Sequence, residues 1–377
     1  MRDEIYMLWL SSLLPQLGSR KLNDLLTRVG SAREIFTAPP TLLKSRIYLT
    51  DNALSVILRN RNLNHIETLL QDMESKKMAY LSRNHHRFPT LLASIPDPPV
   101  GIFYIGELPA DATNKIAIIG SRRCTEYGRL TARLLAKPLA ENGIIIVSGM
   151  AKGVDSMAHR GALEGGGKTI AVLGSGVDIC YPAENRHLKD AIIENGCVLS
   201  EYPPGQRPTA AFFPARNRII SGLSRAIIVA EAGKKSGTLI TVDQATEQGR
   251  DVLAVPGNIV SPLSAGTNLL IREGATPVTD YTDVLFALGL SHKKDTANLD
   301  NQYAHGSGVS DKARNDLINS LAPEEKLVYD NLAFDPVSFD SLVLTTKLPS
   351  GNLHYLCTTL ELKGLIKKLP GARYIKN

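Results

Sequence analysis

Basic and hydroxyl-bearing side chains cluster in the stretch from Phe213 to Thr241. Within it, Ala226–Ala230 is a short apolar run typical of a strand buried on both faces of a parallel sheet. A glycine turn then leads into a segment of helical periodicity that ends at Gly249. Because a helix start offers free N–H groups and a positive dipole end, and because the turn carries lysines and hydroxyls, this pattern favours a phosphate ligand. The turn residues are Lys234, Lys235, Ser236, Gly237 and Thr238. The alternative is an ordinary strand-to-helix turn in which Ser236 or Thr238 caps the helix.

Glycines and basic residues also follow several other strand-like runs. In an open parallel sheet, the loops at the carboxyl ends of the strands lie along one edge, where ligands bind. Glycines in such loops let a ligand approach the backbone closely. We therefore expect these loops to line one positively charged crevice together with the basic cluster after Phe213. Its candidate residues are Gly120, Ser121, Arg122, Arg123, Lys152, Gly174, Gly176, Arg216 and Arg218, with the turn at 234–238.

The common nucleotide-binding motifs are incomplete in these loops. The dinucleotide fingerprint GxGxxG is not met, because Arg122 replaces its second glycine and the Gly174–Gly176 loop lacks its last one. No GxxxxGK[ST] motif leads into Lys235. Asp155 and His159 share one face of a predicted helix, where they form either a structural bond that fixes the preceding loop or a catalytic pair. We interpret the crevice as a binding surface.

Strand-like runs alternate with segments of helical periodicity through the middle of the chain. The runs are Ile102–Ile105, Lys115–Ile119, Ile144–Val147, Thr169–Leu173, Cys197–Leu199, Ala226–Ala230, Val252–Val255 and Thr276–Thr279. Crossover helices are expected between them, for example at Thr131–Leu139, Val154–Leu163 and Glu184–Ile193. Such alternation is typical of βαβ units. The sequence predicts an α/β protein with an extended Rossmann-like, doubly wound, mostly parallel sheet at residues 83–290.

The flanking segments predict other structures. Residues 1–82 show helical spacing, and Leu14–Leu26 resembles either a helix-hairpin-helix turn, which offers backbone amides to a phosphate, or a plain corner of a helical bundle. Residues 291–315 are polar and predict a flexible linker. Residues 316–377 predict a winged helix whose third helix, Asn352–Lys363, has few groups that could pair with DNA. This tail either binds double-stranded DNA, docks a protein or is purely structural.

Composition sets further limits on the function. The chain has 377 residues, 43% of them hydrophobic, and a formal net charge of +6, which suits two or three domains and permits a polyanionic partner. Its four cysteines are far apart and match no metal or disulfide pattern, so we expect no metal or other cofactor and a cytoplasmic location. The N-terminus makes a poor signal peptide, and no apolar run approaches the ~20 residues that span a bilayer. We therefore expect no membrane partner.

Six sequence blocks resemble those of the DNA-processing protein A (DprA/Smf) family, in the same order across the central domain. They are GSRR at Gly120–Arg123, SGMAKGVDSMAH at Ser148–His159, GSGVDICYP at Gly174–Pro182, FPARNRIISGL at Phe213–Leu223, EAGKKSGTLIT at Glu231–Thr241 and GRDVLAVPG at Gly249–Gly257. The resemblance implies a SAM-like N-terminal domain and a C-terminal winged helix. It also implies a non-enzymatic homodimer that binds and protects incoming single-stranded DNA and helps to load the RecA recombinase in natural transformation.

The resemblance further implies roles for individual residues. The DNA pocket of the family would be lined here by Arg122, Phe213, Arg216, Asn217, Arg218, Ser236, Gly237 and Thr238. Some relatives carry a basic residue three positions before this phenylalanine, where this chain has Ala210, so we expect a lower affinity unless Lys234 and Lys235 compensate. The dimer interface is left open between the half of the sheet that carries the GSG and EYPP loops and the helix containing Ile219 and Ile220.

An enzyme is the rival interpretation. Cytokinin-activating phosphoribohydrolases bind nucleotides with a PGGxGTxxE turn at the equivalent strand end. In this chain the position of the catalytic glutamate of that motif is Thr241, and the first residues of the motif are also absent. Threonine lacks the carboxylate that the hydrolysis would need. A nucleotide-sensing or purely structural module remains a third alternative.

Overall fold

The structure, a computed structural model, describes residues 2–47, 49–290, 318, 321–332, 336–369 and 371–376. The predicted linker at 291–315 lies outside the described residues. The chain divides into two compact units, Met1–Lys293 and Lys294–Asn377. The first unit contains the predicted crevice residues.

Helices open the first unit, as the leucine spacing predicts. They are α1 (Arg2–Ser12), α2 (Leu14–Leu17), α3 (Ser19–Arg28), α4 (Ala32–Thr37), α5 (Pro40–Arg46), α6 (Asp51–Arg59) and α7 (Leu63–Ser75). Trp9 is buried among them and donates its indole N–H to the carbonyl of Asn60 at 2.7 Å. Gly18 separates α2 from α3 with a φ of 78°, which favours glycine. The predicted short helix–glycine–helix is present, and its contact with a phosphate remains a prediction.

In the described part of the first unit, nine strands form one sheet in the order β1-β2-β6-β5-β4-β3-β7-β8-β9. They are β1 (Met78–Ser82), β2 (Gly101–Gly106), β3 (Lys115–Gly120), β4 (Ile145–Ser148), β5 (Thr169–Leu173), β6 (Gly196–Ser200), β7 (Ala226–Glu231), β8 (Asp251–Ala254) and β9 (Thr276–Pro277). From β6 to β9 all neighbours are parallel, whereas β2 is antiparallel to both β1 and β6. The predicted mostly parallel sheet is confirmed.

Helices cover both faces of this sheet, so the apolar runs of its central strands are buried. The remaining helices of the unit are α8 (Thr90–Ala93), α9 (Glu126–Glu141), α10 (Val154–Glu164), α11 (Arg186–Glu194), α12 (Phe212–Gly222), α13 (Thr238–Glu247), α14 (Ala265–Arg272) and α15 (Tyr281–Ala287). Alternate side chains of β3 pack on opposite faces of the sheet. Ile116 and Ile118 pack with the cores of α9 and α10, whereas Ala117 and Ile119 pack with those of α12 and α13.

The order of the strands reverses between β3 and β7. The chain leaves β3 towards β4 on one side of the sheet, whereas it leaves β7 towards β8 on the other side. The connecting helices therefore diverge and leave an opening at the carboxyl ends of these two strands. This is the place at which doubly wound sheets bind their ligands.

The strand β1 modifies the expected organisation of the first 82 residues. It pairs with β2 along its whole length, from Met78 opposite Ile105 to Ser82 opposite Gly101. The segment that we predicted as helical therefore ends in a strand of the large sheet. The boundary between residues 82 and 83 remains a prediction.

The second unit has the predicted winged-helix fold. Its described helices are α16 (Pro323–Asp330), α17 (Phe339–Thr346) and α18 (Ser350–Leu362), and its strands are β10 (Val337–Ser338), β11 (Ile366–Leu369) and β12 (Arg373–Lys376). The strands form a small antiparallel sheet in the order β10-β12-β11. Leu353, Leu356 and Leu360 of α18 face its core, so their burial leaves Tyr355 and Leu362 of the same helix exposed.

Candidate functional site

A crevice of about 690 Å³ opens at the carboxyl ends of β3 and β7. It is bordered by the loop after β3, the first half of α12 and the start of α13. The predicted residues that line it are Gly120, Ser121, Arg122, Arg123, Phe213, Arg216, Asn217, Ser236, Gly237 and Thr238. One loop and the N-terminal parts of two helices, all distant in the sequence, therefore meet at the predicted edge of the sheet.

The start of α13 brings two hydroxyl groups to the crevice. Ser236 Oγ donates to Thr238 Oγ1 at 2.9 Å and accepts the backbone N–H of Thr238 at 3.2 Å. Gly237 is exposed between them, and the positive end of the helix dipole lies at the same place. Lys234 and Lys235 are exposed on the preceding turn, outside the lining of the crevice. The turn therefore has the polarity that an anion requires, with its lysines at the periphery.

A cation and two aromatic rings stand next to one another at the rim. The guanidinium carbon of Arg122 lies 5.1 Å from the centroid of the Phe213 ring. The ring of Tyr181 lies 5.4 Å from that of Phe213, tilted by 37°. Tyr181 is 48% exposed, so about half of its surface is accessible to a ligand. Cation–π and ring–ring contacts of this kind favour fixed positions of the three side chains relative to one another.

Arg216 forms part of the floor of the crevice. It is only 4% exposed, and its Nη1 donates to the carbonyl of Gly149 at 2.9 Å and to that of Val172. Burial lowers the pKa of Arg216 to about 10, partly offset by the nearby charge of Asp155. The charge of Arg216 is therefore fixed beneath the crevice by the backbone carbonyls of two neighbouring segments and is not free to follow a ligand.

Arg218 is not part of the crevice. It is 7% exposed, its Nη2 donates to Glu201 Oε1 at 2.7 Å, and its Nε lies 3.2 Å from Asp97 Oδ2. Burial alone would lower its pKa, but Glu201 and Asp97 raise the pKa of Arg218 above its ordinary value. The expected convergence of Arg218 with the other crevice residues is not found, because helix α12 turns this side chain towards the two carboxylates.

Three further predicted residues lie outside the lining of the crevice. Lys152 is exposed and forms an ion pair with Glu184 at 2.6 Å. Gly174 lies under the ring of Phe213, where a Cβ would be 3.1 Å from Phe213 Cδ1. A Cβ on Gly176 would be 2.8 Å from the carbonyl oxygen of Pro203. The packing of neighbouring loops therefore requires a glycine at 176 and leaves little room for a larger residue at 174, so both glycines support the crevice indirectly.

Asp155 and His159 do not form the bond that their spacing suggested. Asp155 accepts the backbone N–H of Ala151 at 3.4 Å, whereas His159 Nδ1 pairs with Thr169 Oγ1 at 2.7 Å. His159 is fully buried, and burial, together with the charge of Arg216, lowers its pKa to about 3. The imidazole is therefore neutral near pH 7 and is enclosed beneath the crevice.

Sequence reasoning missed Tyr181 and Gly149. Tyr181 follows the glycine loop after β5, and only the fold places its ring against Phe213. A Cβ on Gly149 would lie 2.6 Å from both Nη1 and Nη2 of Arg216 and 2.7 Å from Asp155 Oδ2. A glycine after a strand was the only sequence signal for this close approach. Its reason, the space for Arg216, depends on a residue 67 positions away.

Other features of the described residues are as follows. They contain no group of three or more His, Cys, Asp and Glu side chains placed to hold a metal ion. All four cysteines are free thiols. In the same part of the chain, every helix is too short or too polar to cross a bilayer.

Ile219 and Ile220 are buried in the core beneath α12, so this helix face is not available as a dimer interface.

Comparisons with known proteins place these observations in a family. A sequence model of "DNA recombination-mediator protein A" matches residues 79–289, and one of the "DprA winged helix domain" matches residues 312–372. Protein Smf of Synechocystis sp. is 34% identical over 339 residues, which are 85% of this chain and 85% of that protein. These matches extend over both units of the chain.

Two solved structures are also similar. The X-ray structure of DNA processing protein A (DprA) from Streptococcus pneumoniae has a TM-score of 0.65 and 39% identity, covering 76% of this chain and 97% of that one. A structure of DNA processing protein A from Helicobacter pylori, which concerns its single-stranded DNA binding mode, has a TM-score of 0.51 and 32% identity. It covers 56% of this chain and 95% of the Helicobacter chain.

Proposed function

The chain belongs to the DNA recombination-mediator protein A family, and from this premise we propose that it binds single-stranded DNA in the crevice between β3 and β7. The stack of Arg122, Phe213 and Tyr181 carries this proposal. Proteins hold single strands without reading their sequence by stacking bases on aromatic rings beside a groove of cations that follows the backbone. The Helicobacter relative, whose structure concerns single-stranded DNA binding, supports the same assignment.

Different groups of the crevice are proposed to bind the phosphates and the bases of the strand. Arg122 and Arg123 are exposed on the loop after β3 and face the start of α13 across the opening, so both borders attract phosphates. The half-exposed side chain of Tyr181, with the ring of Phe213 beside it, then takes unstacked bases. In a duplex the bases are stacked on one another, so this surface favours a single strand. Gly120, Ser121, Asn217, Ser236, Gly237 and Thr238 complete the proposed contact surface.

The wider role follows from the family and is also a proposal. Binding of this kind protects incoming DNA and helps to load the RecA recombinase during natural transformation, in the cytoplasm and as a homodimer. We propose no catalytic step, because Asp155, which borders the crevice, is bonded to the backbone of Ala151, and because His159 is fully buried and bonded to Thr169. The division into a SAM-like domain at 1–82, a Rossmann-like domain at 83–290, a linker at 291–315 and a winged helix at 316–377 is likewise proposed.

Fluorescence anisotropy with a labelled strand of about 30 nucleotides and its duplex, over a salt series, tests the proposal. We expect preferential binding of the single strand, with the logarithm of affinity falling by about 0.7 per phosphate contact for each tenfold rise in salt. Arg122→Ala should weaken binding about tenfold, because it removes both a phosphate contact and the cation on Phe213. Lys235→Ala should have a smaller effect, because Lys235 lies at the periphery.

Arg225→Ala is the matched control for these variants. Arg225 is also an exposed arginine, but it precedes β7, at the opposite edge of the sheet, where it bonds to Asn114 Oδ1 at 2.7 Å. Its loss should leave the affinity unchanged. Absence of single-strand binding by the unsubstituted protein at low salt would overturn the proposal and direct attention to nucleotide ligands and phosphoribohydrolase assays.

A further inference from the structure

Glu231 is a buried carboxylate at the end of β7, directly beside a crevice proposed to bind a polyanion. It is 1% exposed and does not belong to the residues that line the crevice. Its carboxylate accepts two bonds from one residue, the Thr125 backbone N–H at 2.8 Å and the Thr125 hydroxyl at 2.6 Å. This carboxylate therefore bonds to the protein itself and does not face the proposed ligand.

The same residue also holds the other end of the loop that carries Arg122 and Arg123. The backbone carbonyl of Glu231 accepts the N–H of Ser121 at 2.8 Å. One residue thus fixes Ser121 through its main chain and Thr125 through its side chain, and the two arginines lie between these anchors. The intervening loop is further tightened by the N–H of Arg123, which donates to Ser121 Oγ at 3.2 Å.

Helix α9 depends on the same carboxylate. Thr125 caps this helix by accepting the N–H of Gly128 at 3.2 Å. Gly128 must remain a glycine, because a Cβ there would lie 2.6 Å from Glu231 Oε2. A carboxylate is also favourable at the positive end of a helix dipole. The packing therefore holds Glu231 in one place against the loop and the helix start.

We propose that Glu231 is a positioning residue for single-stranded DNA binding, which presents Arg122 and Arg123 to the strand without touching it. This inference rests on the proposed binding of DNA in the crevice. Without the anchor at Thr125, the loop loses the geometry that places the Arg122 guanidinium over Phe213. The arginines then approach phosphates only at the entropic cost of ordering the loop.

A double-mutant cycle on strand affinity tests the proposal. Arg122→Ala should weaken binding about tenfold, and Glu231→Ala by at least as much, because it misplaces Arg123 as well. The double variant should bind no more weakly than Glu231→Ala alone, because the contribution of Arg122 is already lost in that variant. Glu231→Gln should restore most of the affinity, since its amide can accept the Thr125 N–H and donate to the Thr125 hydroxyl. Glu231→Ala should also reduce the salt dependence of binding, by about 0.7 in slope for each arginine that no longer reaches a phosphate.

Glu201→Ala is the matched control, since Glu201 is another buried carboxylate after a strand but holds Arg218 and not the loop. Its effect on affinity, measured on folded protein, should multiply with that of Arg122→Ala. If Glu231→Ala also multiplies with Arg122→Ala, the positioning role is wrong. Should Glu231→Ala fail to fold, Thr125→Val gives a milder form of the cycle, because it removes the hydroxyl bond to Glu231 and the cap of α9 but keeps the volume and the backbone N–H bond. Failure of the unsubstituted protein to bind any strand would instead contradict the proposed function.

Discussion

Two pairs of arginines flank the crevice, and they have opposite environments. Arg122 and Arg123 are exposed on a short loop, and Arg122 lies over the face of Phe213. Arg216 and Arg218 lie on helix α12 and are buried against carbonyl and carboxylate oxygens. In the sequence the second pair, in the cluster Arg-Asn-Arg, is as suggestive of phosphate binding as the first. The comparison shows that a basic cluster in the sequence can be taken up by acidic and carbonyl partners inside the protein, which leaves fewer of its charges for a ligand.

The difference has a clear physical cause. A buried guanidinium requires acceptors for its N–H groups, and Arg218 finds Glu201 and Asp97 while Arg216 finds Gly149 and Val172. A loop arginine has no such desolvation cost and keeps its charge for an incoming anion. The two buried arginines of α12 thus support the crevice, whereas the two exposed arginines of the loop after β3 belong to its proposed contact surface.

The largest effect on stability should come from removing one partner of the buried ion pair between Arg218 and Glu201. Arg218→Leu leaves Glu201 buried without its cation, so we expect the free energy of unfolding to fall by about 3–5 kcal/mol. Arg123→Leu on the loop should change stability by no more than about 0.5 kcal/mol. Urea denaturation of both variants measures the contrast. Equal stability of the two variants would contradict the distinction between support and contact surface.

The second-largest effect should be a loss of stability in acid, caused by the buried His159 beneath the crevice. The pKa of His159 is lowered to about 3 in the folded state, whereas an unfolded histidine takes up a proton near pH 6.5. Because the unfolded chain binds the additional proton, the free energy of unfolding should fall by about 2 kcal/mol from pH 7 to pH 5. Burial raises the pKa of Asp155, which acts in the opposite sense. The difference between the unsubstituted protein and His159→Gln isolates the histidine, and parallel pH profiles would refute the prediction.

The exposed stack should show a smaller effect, and on binding alone. Tyr181→Ala removes one of the two rings offered to bases, so we expect a loss of about 1 kcal/mol, or about fivefold in single-strand affinity. Tyr181→Phe should retain the affinity, and the melting temperature should change little in either variant. Tyr355→Ala, at an exposed tyrosine of the winged helix, is the control. A loss of equal size at Tyr355 would move the base contacts away from the crevice.

The smallest effect is expected at Lys152. Its ammonium group is already paired with Glu184 on the surface and lies outside the lining of the crevice. Lys152→Ala should therefore change both stability and single-strand affinity by less than about 1 kcal/mol. Anisotropy beside Arg122→Ala compares the two directly. An effect at Lys152 as large as that at Arg122 would enlarge the contact surface beyond the crevice.

Much of the fold could be predicted from the sequence because its signals are local. The apolar runs at Lys115–Ile119 and Thr169–Leu173 are strands with nearly the predicted bounds, and the alternation with helices required a parallel sheet. Local patterns predicted the outermost strands of the sheet less well. Thr276–Thr279 forms only the two-residue strand β9, and Met78–Ser82 joins the sheet from a segment predicted as helical.

The sequence by itself determined the class of the fold, the edge of the sheet at which ligands bind and the loops that meet there. Periodicity and glycine turns encode these features within short stretches of chain. Only the tertiary structure decided which basic residues are exposed at the opening, since Arg216 in its floor and Arg218 outside it are buried against partners far away in the sequence. It also brought Tyr181 to Phe213 and Glu231 to Thr125. Charge and ring contacts of this kind join segments that are far apart in the sequence, and a linear pattern does not record them.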